Sequence, residues 1–261
     1  MSSVFGFSEG DTPLLISVPH DGRHLPDTMR ERMTPEGIAL PDTDWHVAEL
    51  YGFVRELGAS MLVANYSRYV VDLNRPASDD ALYEGQVATG LCPTQTFAGE
   101  NIYAEGEVDA DEMASRVETY WRPYHEKIEQ EIQRMLARHG FALLWDAHSI
   151  AGVVPRLFDG ELPALNIGTN GGTSCAPLIE RAVVEAAEAS PYEAVVNGRF
   201  KGGYITRQYG DPGNNVHALQ LEISQRTYMD ENTDVFDDAL AGQFQETLRQ
   251  LITGFLRAAS R

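Results

Sequence analysis

Two hydrophobic periods alternate along this chain, and that alternation restricts its fold more than any other feature. Short apolar runs at 14–18 (LLISV), 61–64 (MLVA), 69–73 (YVVDL), 141–145 (FALLW), 163–167 (PALNI), 192–196 (YEAVV) and 218–223 (ALQLEI) have the length and β-branched content of buried strands. Between them lie stretches with helical spacing. In 42–58, Trp45, Val47, Ala48, Leu50, Tyr51, Val54 and Leu57 recur on one face. Asp42, Thr43 and Asp44 supply N-cap chemistry there, and Gly58 stands where a helix ends on a left-handed residue. Residues 109–139 read as a long amphipathic helix that Pro123 is expected to break or kink, and 176–189 and 237–259 as two more. Residues 77–107 are Gly-, Thr- and Pro-rich with little periodicity, which suits a functional loop or lid. Strands alternating with helices predict an α/β fold: one domain over 1–261, a three-layer sandwich around a mixed, mostly parallel sheet. No Pro- or Gly-rich linker divides the chain.

Ligands of open α/β sheets bind at the carboxyl ends of strands, and the polar clusters fall there. His20 follows the first run, Asn74 and Arg75 follow the third, and Asp146, Ala147 and His148 follow the run after the long helix. Charge limits what can bind. Thirty-nine acids against twenty bases leave a net charge of -19, which repels phosphate backbones and argues against nucleic acid. An anion site in such a chain has to be built locally from a few arginines. No apolar run reaches the roughly 18 residues of a membrane span, and the first residues lack a basic-then-apolar leader, so no membrane role is expected. Two cysteines, Cys92 and Cys175, are too few for a disulfide framework. They read as ordinary thiols suited to a reducing cytoplasm. Oligomeric state is not legible.

Four features could carry chemistry. A single histidine after a strand is commonly just a cap, but His20 and His148 stand at equivalent ends, each with acids nearby. Two imidazoles and one carboxylate make a catalytic zinc set that leaves a position for water, although iron, cobalt or manganese tolerate the same ligands. Asp44 and Asp42 are the nearest carboxylates, and His24 is a weaker alternative because Gly22 and Pro26 disfavour a helix there. Asp146, two residues before His148, points to the same side of a strand and could hold its imidazole. The second constellation is an anion clamp of Arg68, Asn74 and Arg75, with Asp72 orienting Arg75; the plain alternative is surface ion pairing. Third, Glu222 sits among apolar neighbours, where desolvation raises a carboxyl pKa and suits a general base; a salt-bridged structural glutamate is the alternative. The Gly-rich segment NGRFKGGYITRQYG, 197–210, offers Lys201, Tyr204 and Arg207 on a mobile loop, without a nucleotide-binding motif.

Eight segments in order, LLISVPHDGRHLP, LPDTDWHVAELY, YSRYVVDLNRP, GLCPTQTF, LLWDAHSI, LFDGELPALNIGTNGG, NGRFKGGYITRQYG and ALQLEISQRTYM, resemble the N-formylglutamate amidohydrolase family over nearly the whole chain. The resemblance implies a fold like that of the zinc carboxypeptidases and aspartoacylases. It also implies zinc-dependent hydrolysis of N-formyl-L-glutamate, a small dianion, to L-glutamate and formate, as a step of histidine breakdown. His20 and His148 resemble the zinc histidines of those enzymes, Glu222 their base, and Arg68 the arginine that polarises the scissile carbonyl. The DLNR tetrapeptide resembles their carboxylate-holding pair, with Asn74 and Arg75 in those places and Tyr204 and Arg207 as further substrate contacts. One departure stands out. The relatives take their carboxylate ligand three residues after the first histidine, where this chain has Arg23. The third ligand therefore comes from elsewhere, and Asp44 is preferred to Asp42. The rival functions are a zinc deacylase or peptidase for another N-acyl amino acid, and a metal-free binding protein for acidic amino acids.

Overall fold

A computed structural model describes residues 3–80, 89–106 and 108–260. Of the 77–107 segment, residues 81–88 and 107 lie outside the described residues. Seven strands form one sheet: β1 (Phe5–Ser8), β2 (Leu14–Val18), β3 (Ser60–Ala64), β4 (Ala142–Ile150), β5 (Leu165–Gly168), β6 (Ala194–Val196) and β7 (Val216–Ser224). Their order is β1-β3-β2-β4-β7-β5-β6. The β3–β2, β2–β4, β4–β7 and β5–β6 pairs are parallel, while β1 and β5 run antiparallel to β3 and β7. A two-stranded ribbon, β8 (Met229–Asp230) with β9 (Val235–Phe236), is appended. The helices are α1 (Asp27–Arg30), α2 (Pro35–Ala39), α3 (Val47–Leu50), α4 (Ala110–Arg116), α5 (Arg122–His139), α6 (Pro177–Glu188), α7 (Tyr204–Tyr209) and α8 (Asp238–Ala259). The mixed, mostly parallel sheet is the expected architecture.

The two central strands are buried along all nine residues each. Their odd positions, Leu143, Trp145, Ala147, Leu219, Leu221 and Ile223, pack with Val183 of α6 and Phe244, Leu248 and Phe255 of α8. Ala142, Leu144 and Ala218 pack with Tyr124, Ile128 and Met135 of α5. Period-two alternation then carries Asp146, His148, Gln220 and Glu222 onto the α5 face at the strands' carboxyl ends. Register fixes their spacing, because Asp146 pairs with Gln220 and His148 with Glu222 across β4–β7. Both cysteines are buried and unpaired with each other. Among the described residues, no helix is long and apolar enough to cross a membrane.

Three local expectations change. Residues 69–73 are a turn-rich loop, not a strand. Tyr69 and Val70 bury themselves against Met29, Met33 and Ile102 instead of in the sheet. The backbone of the run finds partners outside any ladder: Arg116 Nη1 donates to Val70 O at 3.0 Å, and Asp72 N donates to Leu91 O at 2.7 Å. The 42–58 helix reduces to α3 and a 3-10 segment, Gly52–Leu57. Its first residues turn away through His46, which is left-handed at φ 61°. The cap at Gly58, φ 68°, stands as expected. Finally, Pro123 does not end the long helix. The helical backbone runs on from α4 through a π-helical stretch, Val117–Trp121, into α5 as far as His139, so the irregularity expected of the proline is a wide turn just before it and not a break.

Candidate metal centre and pocket

His20 leaves the end of β2 after Pro19, and its carbonyl accepts from Asp44 N at 3.1 Å, which draws the 40–46 turn over the strand end. Asp21 reinforces the turn by accepting from His46 N and Ala48 N at 3.2 and 2.9 Å. Asp44, His20 and His148 thus meet, all buried, with one ligand atom of each within 4.8 Å of the others. The two imidazole centroids are 4.9 Å apart. Asp44 Oδ2 lies 3.1 Å from His148 Nδ1 and 3.8 Å from His20 Nδ1.

Both imidazoles present Nδ1 to this centre, because a second carboxylate holds each Nε2. His20 Nε2 donates to Asp72 Oδ1 at 2.8 Å, and His148 Nε2 lies 3.1 Å from Asp146 Oδ2. The donor set fits a divalent metal on one decisive observation: His20 Nδ1 is buried with no hydrogen-bond partner among the described residues. An orphaned buried nitrogen costs roughly 1–3 kcal/mol unless something binds it. Charge agrees, since Asp44, Asp72, Asp146 and Glu222 are all buried around one buried guanidinium, Arg68. Burial, followed by the charge of Arg68, lowers the His20 pKa and leaves Nδ1 a bare lone pair. Burial opposes the charged form of His148, but Asp146 and Asp44 outweigh it and hold its pKa well above the ordinary value.

Asp72 was expected to orient Arg75. Its carboxylate instead serves His20 and accepts from Arg68 Nη2 at 2.9 Å. Asn74 is likewise drawn inward. Its Nδ2 donates to Asp146 Oδ2 at 3.2 Å and lies 2.9 Å from His148 Nε2, while its Oδ1 accepts from Ile205 N at 2.8 Å. The 72–75 turn is in turn fixed from α5 and the π-helical stretch, where His125 Nε2 donates to Leu73 O and Trp121 Nε1 to Arg75 O, each at 2.9 Å. Asp42 stays outside the metal group. Its Oδ2 accepts from Tyr69 Oη at 2.7 Å and from Phe97 N at 2.8 Å. His24 packs its ring on Tyr66.

A pocket of about 100 Å³ opens beside the centre, lined by His20, Arg68, Asn74, Arg75, His148 and Glu222 among others. Glu222 is buried, and its contact there is Gln220 Nε2 at 3.2 Å. Burial pushes its pKa up to about 8. Arg75 is braced by Thr89 O and Asn74 O at 3.1 and 3.2 Å. Tyr204 and Arg207 do not line the pocket. They belong to helix α7, where Tyr204 packs on Trp121 and His125 and Arg207 Nε donates to Gly202 O. From the same Gly-rich segment it is Arg199, Phe200 and Gly203 that reach the pocket. In a chain with only twenty basic residues, Arg199 of that segment is as much a candidate anion contact as Arg207, and scarcity of positive charge is the sequence signal for it.

Solved structures share the fold. The chain superposes on the crystal structure of N-formylglutamate amidohydrolase from Ralstonia eutropha JMP134 with a TM-score of 0.83, at 24% identity, covering 97% of this chain and 98% of that one. A protein of Agrobacterium tumefaciens gives 0.73 at 17% identity, covering 97% and 96%. At such identities the likeness is one of α/β fold. Sequence goes further: the model of the N-formylglutamate amidohydrolase family matches residues 12–229. N-formylglutamate deformylases of Pseudomonas putida and Pseudomonas aeruginosa are each 49% identical over 259 residues, covering 98% of this chain and 97% of the relative. The chain belongs to the N-formylglutamate amidohydrolase family, and it is an enzyme, an amidohydrolase.

Proposed function

We propose that this enzyme hydrolyses N-formyl-L-glutamate to L-glutamate and formate in the cytoplasm, as a step of histidine breakdown. His20 Nδ1, Asp44 and His148 Nδ1 would hold a divalent metal, zinc by the character of the donors. When bound, that cation supplies Lewis acidity toward a water and the formyl carbonyl. Glu222, whose pKa burial raises to about 8, accepts a water proton in its ionised form as the oxygen attacks the formyl carbon. It then delivers that proton to the departing amine nitrogen as the C–N bond breaks. Arg68 places a fixed positive charge beside the developing oxyanion, a contact worth roughly 3–4 kcal/mol in comparable sites. Arg75 and Arg199, which line the pocket, take the two substrate carboxylates. Asn74 acts through His148 and Asp146, fixing the imidazole.

The observation that carries this reading is the buried His20–Asp44–His148 group with Glu222 on the same pocket wall. The test is a comparison of formyl-, acetyl- and succinyl-L-glutamate as substrates, with metal content measured on the purified protein. Formyl preference with about one equivalent of divalent metal supports it. Preference for a larger acyl group reassigns the enzyme to another N-acyl amino acid, and metal-independent binding without turnover reassigns it to a binding protein.

A further inference from the structure

Two cavities meet at a single wall. Beside the pocket of about 100 Å³ lies a second, of about 550 Å³ and largely apolar, bounded by Pro41, Thr43, Ala98, Ala151, Val154 and Pro155 among others. Phe97, Ser149 and Ile150 line both. The larger cavity therefore flanks the segments that carry the metal group, since Thr43 precedes Asp44 and Ser149 and Ile150 follow His148.

The wall is braced from several sides. Phe97 N donates to Asp42 Oδ2 at 2.8 Å, and the Arg68 guanidinium carbon sits 4.7 Å from the Phe97 ring centroid. Arg156 pins the residues just before it, donating from Nη1 to Thr96 O at 3.2 Å and from Nη2 to Gln95 Oε1 at 3.0 Å. Ile150 ends β4, is buried, and packs with Val154 and Leu162, with Phe97 against the same cluster. Interiors held this way yield little to an added methyl group.

We propose that Phe97 and Ile150 set the acyl-group limit of this enzyme. The inference rests on the proposed deformylase reading. With the substrate carboxylates on Arg75 and Arg199 and the acyl carbon at the His20–Asp44–His148 group, the remaining substituent of that carbon faces Phe97 and Ile150. A formyl hydrogen fits against them. A methyl or longer chain meets the wall, although apolar space already formed lies directly behind it. Shortening the wall joins the two cavities and admits the longer acyl group. Discrimination by one methylene is commonly about 10–200-fold, so a change of that order is expected.

The experiment measures kcat/KM for N-formyl-, N-acetyl- and N-propionyl-L-glutamate with the wild type, Ile150→Ala, Phe97→Leu and Val154→Ala, alongside thermal midpoints. Val154 borders only the larger cavity. The acetyl-to-formyl ratio is expected to rise about tenfold or more in Ile150→Ala and Phe97→Leu and to stay at the wild-type value in Val154→Ala. Ratios unchanged in both folded wall variants, with formyl cleavage retained, overturn the wall alone. So does a wild type that cleaves acetyl- as readily as formylglutamate. If Ile150→Ala fails to fold, Phe97→Leu decides by the same criterion. A wild type that cleaves no N-acylglutamate overturns the deformylase reading, and this inference falls with it.

Discussion

At His20 the choice between two ring nitrogens decides what the centre can hold. Asp72 takes Nε2, and Nδ1 is left facing Asp44 with no hydrogen-bond partner among the described residues. Replacing Asp72 by Asn removes the acceptor charge that fixes this tautomer and is expected to weaken metal affinity about 10–100-fold, read by titration of the metal-free protein. Glu222→Gln is expected to lower kcat by about two to four orders of magnitude with little change in KM. The same substitution has a stability consequence. The Glu222 carboxyl titrates near 8 in the fold and near 4.5 when exposed, so the folded state holds a proton that the unfolded chain has lost. Its contribution is full below about 4.5 and is lost as pH rises through about 8. Metal-free Glu222→Gln is therefore expected to melt higher than the wild type at pH 8 and nearly alike at pH 5. His125 behaves in the opposite sense. Burial drops its pKa to about 3, so the unfolded state binds the extra proton, and stability falls as pH drops from 6.5 toward 3. At about 1.4 kcal/mol per pH unit, acidification from 6.5 to 5 costs about 2 kcal/mol. That slope is expected to flatten in His125→Gln in denaturant titrations across pH.

Among the elements, α7 shows how tightly the site is backed. A Cβ on Gly203, at its N-terminal cap, would stand 2.4 Å from Asn74 Nδ2 and 2.6 Å from Asn74 Cγ. Gly203→Ala is expected to displace Asn74, release its hold on His148 and Asp146, and cost about 1–3 kcal/mol. Turnover should fall while far-UV circular dichroism stays native. The elements differ in how far sequence alone discloses them. The runs at 14–18 and 61–64 and the helices ending in Glu188 and Ala259 were legible because burial and period agree there. The 69–73 run was not, because its apolar side chains bury against loops and a distant guanidinium, Arg116, supplies the partner a strand would have found in a ladder. His20, His148 and Glu222 could be read from strand-end position and apolar context. Asp44 could not be separated from Asp42 with certainty, because the left-handed turn at His46 and the Asp21 contacts aim one inward and the other toward Phe97. Arg199 and the Asp72–His20 bond depend on long-range packing that no local pattern carries.

For the molecule as a whole, charge and site oppose one another. A net charge of -19 would repel the dianionic substrate proposed above, whereas Arg68, Arg75 and Arg199 line the pocket that would receive it. At saturating metal, kcat/KM for N-formylglutamate is expected to rise modestly as ionic strength goes from about 0.01 M to about 0.15 M, because the screening length shrinks from about 30 Å to about 8 Å and distant repulsion fades before contact attraction does. Stopped-flow or initial-rate series in sodium chloride would read this, and a steady fall would show that the arginines govern approach as well as docking.

The donors come from far-separated parts of the chain, and β4, which carries His148, is flanked by β2 and by the late strand β7. A ribosome that has released only the first half of the polypeptide has made no competent chelate. On the proposed reading, a cation would find its three donors together only after β4 has joined β2, so loading would follow the closing of that part of the sheet.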